Sequence, residues 1–242
     1  MIRQLKFSGN PFVGIFSFTN NNITIVREDI GEHAKNIEEA LGTELILSTV
    51  AATDLAGIYI AGNNNGIILT YVIEDEELQL IEDKGINNCI LDTKETAVGN
   101  LILSNDKGAI ISPILSKEQK LIEDVLGVET AISSLGNHKY VGSVARTNNF
   151  GCIVHKEAKE DDISLIKDLL KVDVRMSTLN RGVSYIGACM VVNDKGAIVG
   201  ETTTGVELSY VEDIMGVWGG LYDENLYSWR YYQTKKQHKT FC

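Results

Sequence analysis

The chain consists of five copies of one unit. A glycine preceded by an apolar residue recurs at intervals of 43, 42, 43 and 45 residues. An asparagine stands six residues after each of these anchor glycines. A second glycine stands nine residues after the anchor glycine in four copies, and the first copy has Ile23 at that position. Self-similarity at such a period is typical of solenoids, propellers and arrays, so the fold must be built from like units. The anchor glycines are Gly14, Gly57, Gly99, Gly142 and Gly187.

Each copy predicts a β-hairpin. Apolar, β-branched runs flank a four-residue turn such as NNNG or NDKG, and the hexapeptide NDKGAI occurs twice, at Asn105 and Asn193. Asparagine and glycine tolerate the positive φ angles that such turns require, so these asparagines are first of all turn formers. The predicted hairpins lie near 13–26, 56–69, 98–111, 141–154 and 186–199.

An amphipathic helix is predicted after each hairpin. Two helix starts resemble capping boxes, Ser116 with Gln119 and Thr204 with Glu207. A further short strand follows each of the first four helices, so the unit is ββαβ. These strands are ELILST from Glu44, NCILDT from Asn88, ETAISS from Glu129 and DVRMST from Asp173.

The fifth unit lacks its last strand, and the chain begins with an unpartnered one, IRQLKF at residues 2–7. If the first strand completes the fifth unit, the repeats close into a ring. We therefore predict an α+β fold in which residues 1–216 form five ββαβ units around a pseudo-five-fold axis, an α/β propeller. The alternative is an open solenoid, which needs polar capping repeats that the sequence lacks.

Residues 217–242 fall outside the repeat. Seven of these residues are aromatic, and Asp223 and Glu224 stand against four basic residues. Basic residues interleaved with aromatic ones can stack on RNA bases. The alternatives are a segment that packs on the ring and a disordered or accessory end.

Charge and cysteine use restrict the class of partner. The net charge of −11 disfavours non-specific binding to nucleic acid, so we expect no DNA partner and only local contact with RNA. We expect no signal peptide and no membrane span, hence a cytoplasmic protein. The cysteines are far apart and are expected to be reduced thiols rather than a disulfide or zinc framework. They are Cys89, Cys152, Cys189 and Cys242.

An enzyme is the alternative from another functional class. A five-fold ring of such units also occurs in enzymes that attack guanidino groups with a cysteine, and these need a thiolate, a histidine and carboxylates at the pore. The candidates are Cys152, Cys189, His138 and His155. Nothing pairs a nucleophile with a base at local spacing, so buried thiols and hydrogen-bonded histidines are favoured.

Four stretches carry a resemblance to a known family. They are EDEEL (74–78), GNLILSNDKGAIISP (99–113), LNRG (179–182) and ACMVVNDKGAIVGETTTGVEL (188–208). With the repeat order, they make residues 1–216 similar to the translation initiation factor 6 family in its archaeal form. The resemblance implies a pentein-type ring without enzymatic activity, cofactor or metal. It also implies a monomer that binds the large ribosomal subunit on its subunit-joining face, beside the sarcin–ricin loop, and blocks the small subunit.

The resemblance also points to the hairpin turns as the ribosome-binding face. It implies that substitution of Asn105 weakens ribosome binding. The matching turn positions extend this to a polar, acid-leaning face that suits a basic ribosomal protein. Asn20 is the weakest member, since its turn lacks the second glycine. The other predicted ribosome-binding residues are Asn63, Asn64, Asp106, Asn148, Asn149, Asn193 and Asp194.

Overall fold

The computed structural model describes residues 1–27, 30–31 and 33–217. Residues 218–242 lie outside the described part, so the predicted roles of the tail remain predictions. The strands are β1 (Ile2–Leu5), β2 (Ser17–Thr19), β3 (Ile23–Val26), β4 (Glu44–Leu47), β5 (Ile60–Gly62), β6 (Ile67–Thr70), β7 (Asn88–Leu91), β8 (Ile102–Ser104), β9 (Gly108–Ile111), β10 (Glu129–Ile132), β11 (Ala145–Thr147), β12 (Gly151–Val154), β13 (Asp173–Met176), β14 (Met190–Val192) and β15 (Ala197–Gly200).

Helices alternate with these strands, and they are of two kinds. Among the described residues, five helices are single turns of four residues and five are longer. In the described residues no helix is long and apolar enough to cross a membrane. The helices are α1 (Val13–Phe16), α2 (His33–Leu41), α3 (Ala56–Tyr59), α4 (Asp75–Glu82), α5 (Val98–Leu101), α6 (Gln119–Leu126), α7 (Val141–Val144), α8 (Glu160–Leu170), α9 (Ile186–Cys189) and α10 (Gly205–Met215).

In the part of the chain that the structure describes, the strands form five separate three-stranded sheets. In the third repeat, β9 pairs antiparallel with β8 and, across the crossover helix α6, parallel with β10. The same order holds in the first, second and fourth repeats. The ββαβ unit predicted from the sequence is thus confirmed.

The N-terminal strand completes the fifth sheet. β1 runs parallel to β15, with Ile2 opposite Ala197 and Leu5 opposite Gly200. The terminal ammonium of Met1 also donates to the carbonyl oxygen of Lys195 at 2.9 Å. The predicted ring, closed by the first strand of the chain, is confirmed. The sheets remain distinct, so the ring is not a continuous barrel.

The start of each hairpin was predicted wrongly. The first four residues of each copy, such as Val13–Phe16, form a helical turn rather than strand. An apolar run buried on all sides does not by itself distinguish the two. The close approach of neighbouring backbones explains the glycines in these turns. A Cβ at Gly14, Gly57, Gly99, Gly142 or Gly187 would lie 1.9–2.3 Å from the carbonyl oxygen of the preceding anchor glycine around the ring.

One predicted capping box is confirmed and the other is wrong. Thr204 and Glu207 cap α10 reciprocally. Ser116 caps no helix start, because Pro113–Leu115 forms a 3-10 turn before it and α6 begins only at Gln119. The side chain of Gln119 reaches across to Thr130 of β10 instead.

The hydrophobic core lies between neighbouring repeats. Leu103 and Ile110 of the third repeat pack into the core of the fourth, which includes Ile166 and Leu170. Across the closure, Val191 and Ile198 of the fifth repeat pack with residues of the first repeat and with Leu5 of β1. Each unit thus completes the core of the next, so the stability of each repeat depends on its neighbours.

Candidate functional site

The five hairpin turns meet at one end of the ring. In four turns the backbone N–H of the first asparagine donates to the carbonyl oxygen of the second glycine, as between Asn105 and Gly108 at 3.1 Å. In the first turn Ile23 replaces the glycine and the same bond forms, from Asn20, at 3.1 Å. The turn therefore closes without the second glycine.

The first asparagine of each turn joins its repeat to the next. Its side-chain nitrogen donates to the backbone oxygen of the next first asparagine at 3.0–3.1 Å, and all five side chains are buried. The bonds form an unbroken cycle around the axis. The cycle runs Asn20, Asn63, Asn105, Asn148, Asn193 and back to Asn20.

The same side chains hold the neighbouring helices. Asn105 Nδ2 also donates to Leu170 O, at the end of α8, at 2.9 Å. Its Oδ1 accepts the backbone N–H groups of Lys107 and Gly108. Asn63, Asn148 and Asn193 make equivalent bonds to α6, α10 and α2. Since helix ends leave carbonyl oxygens unpaired, each of these asparagines caps a helix of the next repeat.

The second residue of each turn forms another cycle. Each backbone N–H donates to the side-chain Oδ1 of the second residue in the next turn at 2.7–3.0 Å. These side chains are half-buried, with one edge open to solvent. Asn21 is a full member, although sequence reasoning left it out; its register, seven residues after Gly14, was the available signal. The members are Asn21, Asn64, Asp106, Asn149 and Asp194.

The order of amides and carboxylates in this second cycle matches donors to acceptors. Asp106 Oδ2 accepts from Asn64 Nδ2 and Asn149 Nδ2, both at 2.5 Å. Asp194 Oδ2 accepts from Asn149 Nδ2 and Asn21 Nδ2, both at 2.7 Å. No two carboxylates are adjacent in this cycle, so each one accepts hydrogen bonds from amide groups on both sides.

The third residue of each turn is exposed. Lys107 Nζ donates to Asn149 O at 2.8 Å and to Lys171 O, just beyond α8, at 3.3 Å. Lys195 makes the matching bonds to Asn21 O and Gly42 O beyond α2. Lysines favour this position because the C-terminal end of a helix carries partial negative charge.

The second and third turn residues together make a surface that we call the turn rim. Its two carboxylates are matched by two lysines, so the expected acid-leaning character is wrong for these turns. The turn rim comprises Asn21, Asn22, Asn64, Asn65, Asp106, Lys107, Asn149, Phe150, Asp194 and Lys195.

This geometry explains the duplicated hexapeptide. The two copies lie in the third and fifth repeats, on either side of the fourth. The fourth repeat presents Asn149, whose Nδ2 reaches both Asp106 and Asp194. Asparagine, aspartate and lysine of NDKG each contact the adjacent turn or helix. A Cβ at the glycine would lie 2.5 Å from Leu169 O, for Gly108, or 1.9 Å from Ala40 O, for Gly196.

Cys152 and Cys189 are buried thiols with raised pKa values, unlike a nucleophilic cysteine. Burial raises the pKa of Cys152 to about 12 and that of Cys189 to about 12. The sequence predicted that Cys189 lies inside a hairpin strand. It is instead the last residue of the helical turn α9. A nucleophilic cysteine needs a lowered pKa, and burial raises the pKa of both of these thiols instead.

Three side chains of the fourth repeat could contribute metal-ligand atoms. One such atom each from His138, His155 and Glu157 lies within 4.8 Å of the others. Both ring nitrogens of His155 are engaged, however: Nε2 with Leu135 O at 3.1 Å and Nδ1 with the Glu157 N–H at 3.3 Å. Burial also lowers the pKa of His155. The pattern is that of a hydrogen-bonded structural histidine.

Comparison with known proteins gives consistent results. A family model described as the eIF-6 family matches residues 2–214. A "Translation initiation factor 6" of Methanocaldococcus jannaschii is 38% identical over 229 residues, covering 90% of this chain and 99% of the relative. Proteins of the same name from Thermococcus onnurineus and Pyrobaculum aerophilum are each 36% identical, covering 89% of this chain and 98% and 99% of their own.

A solved structure is also similar at a lower level. It is a variant of dimethylarginine dimethylaminohydrolase in adduct with S-methyl-L-thiocitrulline, with a TM-score of 0.43 and 13% identity. The match covers 84% of this chain and 73% of that one. Similarity this low carries no conclusion about this chain.

Proposed function

This chain belongs to the eIF-6 family and is a translation initiation factor; from that membership we propose that it binds the large ribosomal subunit and blocks the small one. The observation that carries the proposal is the match over residues 2–214, which spans all five repeats. The protein acts by occupancy: it and the small subunit compete for one face. The protein then acts in the cytoplasm. It needs no cofactor for this function.

The turn rim is the proposed contact surface. Its open edge presents the half-buried side chains of Asn64, Asp106, Asn149 and Asp194. The buried Asn63, Asn105, Asn148 and Asn193 act beneath it, as positioning residues that fix the turns against one another. A surface held by two hydrogen-bond cycles loses little conformational entropy on binding, which favours affinity.

The proposed partner is a ribosomal protein beside the sarcin–ricin loop, with limited contact to RNA. Open amide and carboxylate edges suit backbone and basic groups of a protein. The net charge of −11 opposes broad contact with phosphates. We propose that the protein binds as a monomer and performs no chemistry, since its buried thiols are unsuited to attack.

The test is co-sedimentation of the purified protein with separated ribosomal subunits on sucrose gradients at low and moderate salt. We expect migration with the large subunit alone and a smaller fraction of joined ribosomes. Migration with neither subunit would contradict the proposal. Release of ammonia or citrulline from a guanidino substrate would instead support the enzyme alternative.

Two variants test the surface. Asn105→Ala is expected to weaken large-subunit binding by releasing the turns beneath the rim. Tyr185→Ala changes an exposed residue that precedes α9, at the opposite end of the hairpin, and should leave binding unchanged. Equal binding by both variants would show that the turn rim is not the contact surface.

A further inference from the structure

A cavity lies inside the ring. The first hairpin strands β2, β5, β8, β11 and β14 all contribute to its lining, with Gly99 of α5. Its volume is about 40 Å³, room for roughly two or three water molecules or one small anion. Polar lining residues include Ser104, Thr147 and Arg146.

Arg146 is exceptional among equivalent residues. The middle residue of the first hairpin strand is Phe18, Ala61, Leu103 or Val191 in the other four repeats, and each of these is buried. These apolar side chains pack into the core of the next repeat. The fourth repeat places a guanidinium here, although the architecture is evidently compatible with an apolar residue.

The guanidinium is enclosed by protein and has few partners. Nη2 donates to Gly187 O at 2.7 Å, while Nε is buried without a hydrogen-bond partner among the described residues. The residue keeps some accessible surface because it borders the cavity. Burial lowers the pKa of Arg146 to about 10, so the group stays cationic at neutral pH.

Carboxylates do not balance this charge in the described part of the chain, where no ion pair involves Arg146. The carboxylates of Asp106 and Asp194 belong to the second cycle, whose amides and N–H groups occupy their oxygens. An enclosed cation without a counter-charge is costly. Water can satisfy its hydrogen bonds but leaves the charge in place.

We propose that the central cavity is a binding site for one small monovalent anion, of the size of chloride or bromide, held by Arg146. The anion offers the acceptor that Nε lacks and neutralises the guanidinium inside the ring. The cavity extends from Gly99, one of the anchor glycines, to Ser104 and Thr147, which immediately precede the turns. The site is independent of ribosome binding, since it lies below the turn rim.

Bromide is the probe, because it scatters anomalously and replaces chloride. Crystals of the whole chain grown with sodium bromide are expected to show an anomalous peak within hydrogen-bonding distance of the Arg146 guanidinium. In solution, bromide should replace gluconate at constant ionic strength while thermal unfolding is followed. We expect the midpoint to rise by about 3–6 °C for each tenfold increase of bromide above its dissociation constant.

Arg146→Met removes the cation and restores the apolar character of the other repeats, and its unfolding midpoint should no longer depend on bromide. Arg175→Met is the matched control. Arg175 lies in β13, the outer strand of its sheet, with its guanidinium 3.7 Å from the centre of the Tyr210 ring. This variant should respond to bromide as the wild type does. Equal bromide dependence in all three proteins, or no dependence in the wild type, would overturn the site. So would wild-type crystals without a bromide peak at Arg146, a result that does not require the variant to fold.

Discussion

Asn193 Nδ2 donates to the carbonyl oxygen of Asn20 at 3.0 Å, although 173 residues separate the two. This bond closes the cycle of first asparagines, as β1 closes the cycle of sheets. The two closures bring together the same pair of repeats, the first and the fifth. Each turn asparagine therefore joins repeats in addition to forming its own turn.

We expect Asn105→Ala to destabilise the ring. The change removes two donated and two accepted hydrogen bonds at a buried position, and buried groups left unpaired cost about 1–3 kcal/mol each. Partial relaxation leaves an expected loss of about 2–4 kcal/mol of unfolding free energy. Urea denaturation measures it. Asn22→Ala, the same change at an exposed turn residue, should cost less than about 0.5 kcal/mol. Equal losses in both variants would mean that the asparagine cycle contributes nothing.

Asn149→Asp should destabilise the second cycle in a pH-dependent way. It places three carboxylates in a row and removes the two amide hydrogens that Asp106 and Asp194 accept. At pH 7 we expect a loss of about 2–4 kcal/mol. Like charges raise the pKa of carboxyl groups, so protonation should restore part of the stability as the pH falls toward 5. Unfolding curves across that range measure it, with Asn22→Asp as control. A loss independent of pH would contradict the charge argument.

Glu207 should contribute to stability at neutral pH and lose that contribution in acid. Burial alone would raise the pKa of Glu207, but hydrogen bonds from Thr204, Thr178 and Gly182 outweigh it and hold the pKa below its ordinary value. A lowered folded-state pKa stabilises the fold above the unfolded-state value of about 4.3, and this is lost as the pH falls through the folded-state pKa.

The measurement is unfolding free energy against pH for the wild type and Glu207→Gln. The variant should lose about 1–3 kcal/mol at pH 7 and show a shallower decline below pH 4.5. Glu201→Gln is the control, because Glu201 forms an exposed ion pair with Lys6 at 2.9 Å and should cost at most about 1 kcal/mol. An equally steep fall of the unfolding free energy below pH 4.5 in the wild type and in Glu207→Gln would contradict this role of Glu207.

Gly99→Ala should prevent the helical turns from meeting. Its Cβ would lie 2.3 Å from Gly57 O, and backbone on both sides cannot yield easily. We expect a loss above about 4 kcal/mol, or failure to form the ring. Gly205→Ala is the matched control: nothing lies within 4 Å of its Cβ position, so the change should be neutral or slightly stabilising. Circular dichroism and gel filtration of both variants decide the point, and a stable Gly99→Ala ring would refute the contact.

The sequence was sufficient for the architecture but not for its finer elements. The period, the ββαβ order and the orphan strand at residues 2–7 predict a closed ring, because each is a local pattern or a count. The helical turn at Val13–Phe16 was missed, since a short buried run has no distinguishing periodicity. The Ser116 box failed because a 3-10 turn occupies Pro113–Leu115 and α6 begins only at Gln119.

Contacts between repeats were the part that the sequence could not predict. The asparagines were correctly recognised as turn formers, yet Asn105 is buried because the ring radius brings Asn148 and Leu170 to its side chain. That radius depends on glycine contacts at the opposite end. Arg146 was also missed, although its charge at a position that is apolar in four repeats was a visible signal.

The pairing of β1 with β15 has a consequence for biosynthesis. Ile2 leaves the ribosome long before its partner Ala197, which follows 195 residues later. Domains that fold during translation do so from the N-terminus onward. Here β1 cannot pair until β15 has been synthesised. The nascent chain therefore cannot close its ring, or complete either cycle of turn residues, until all five repeats have emerged.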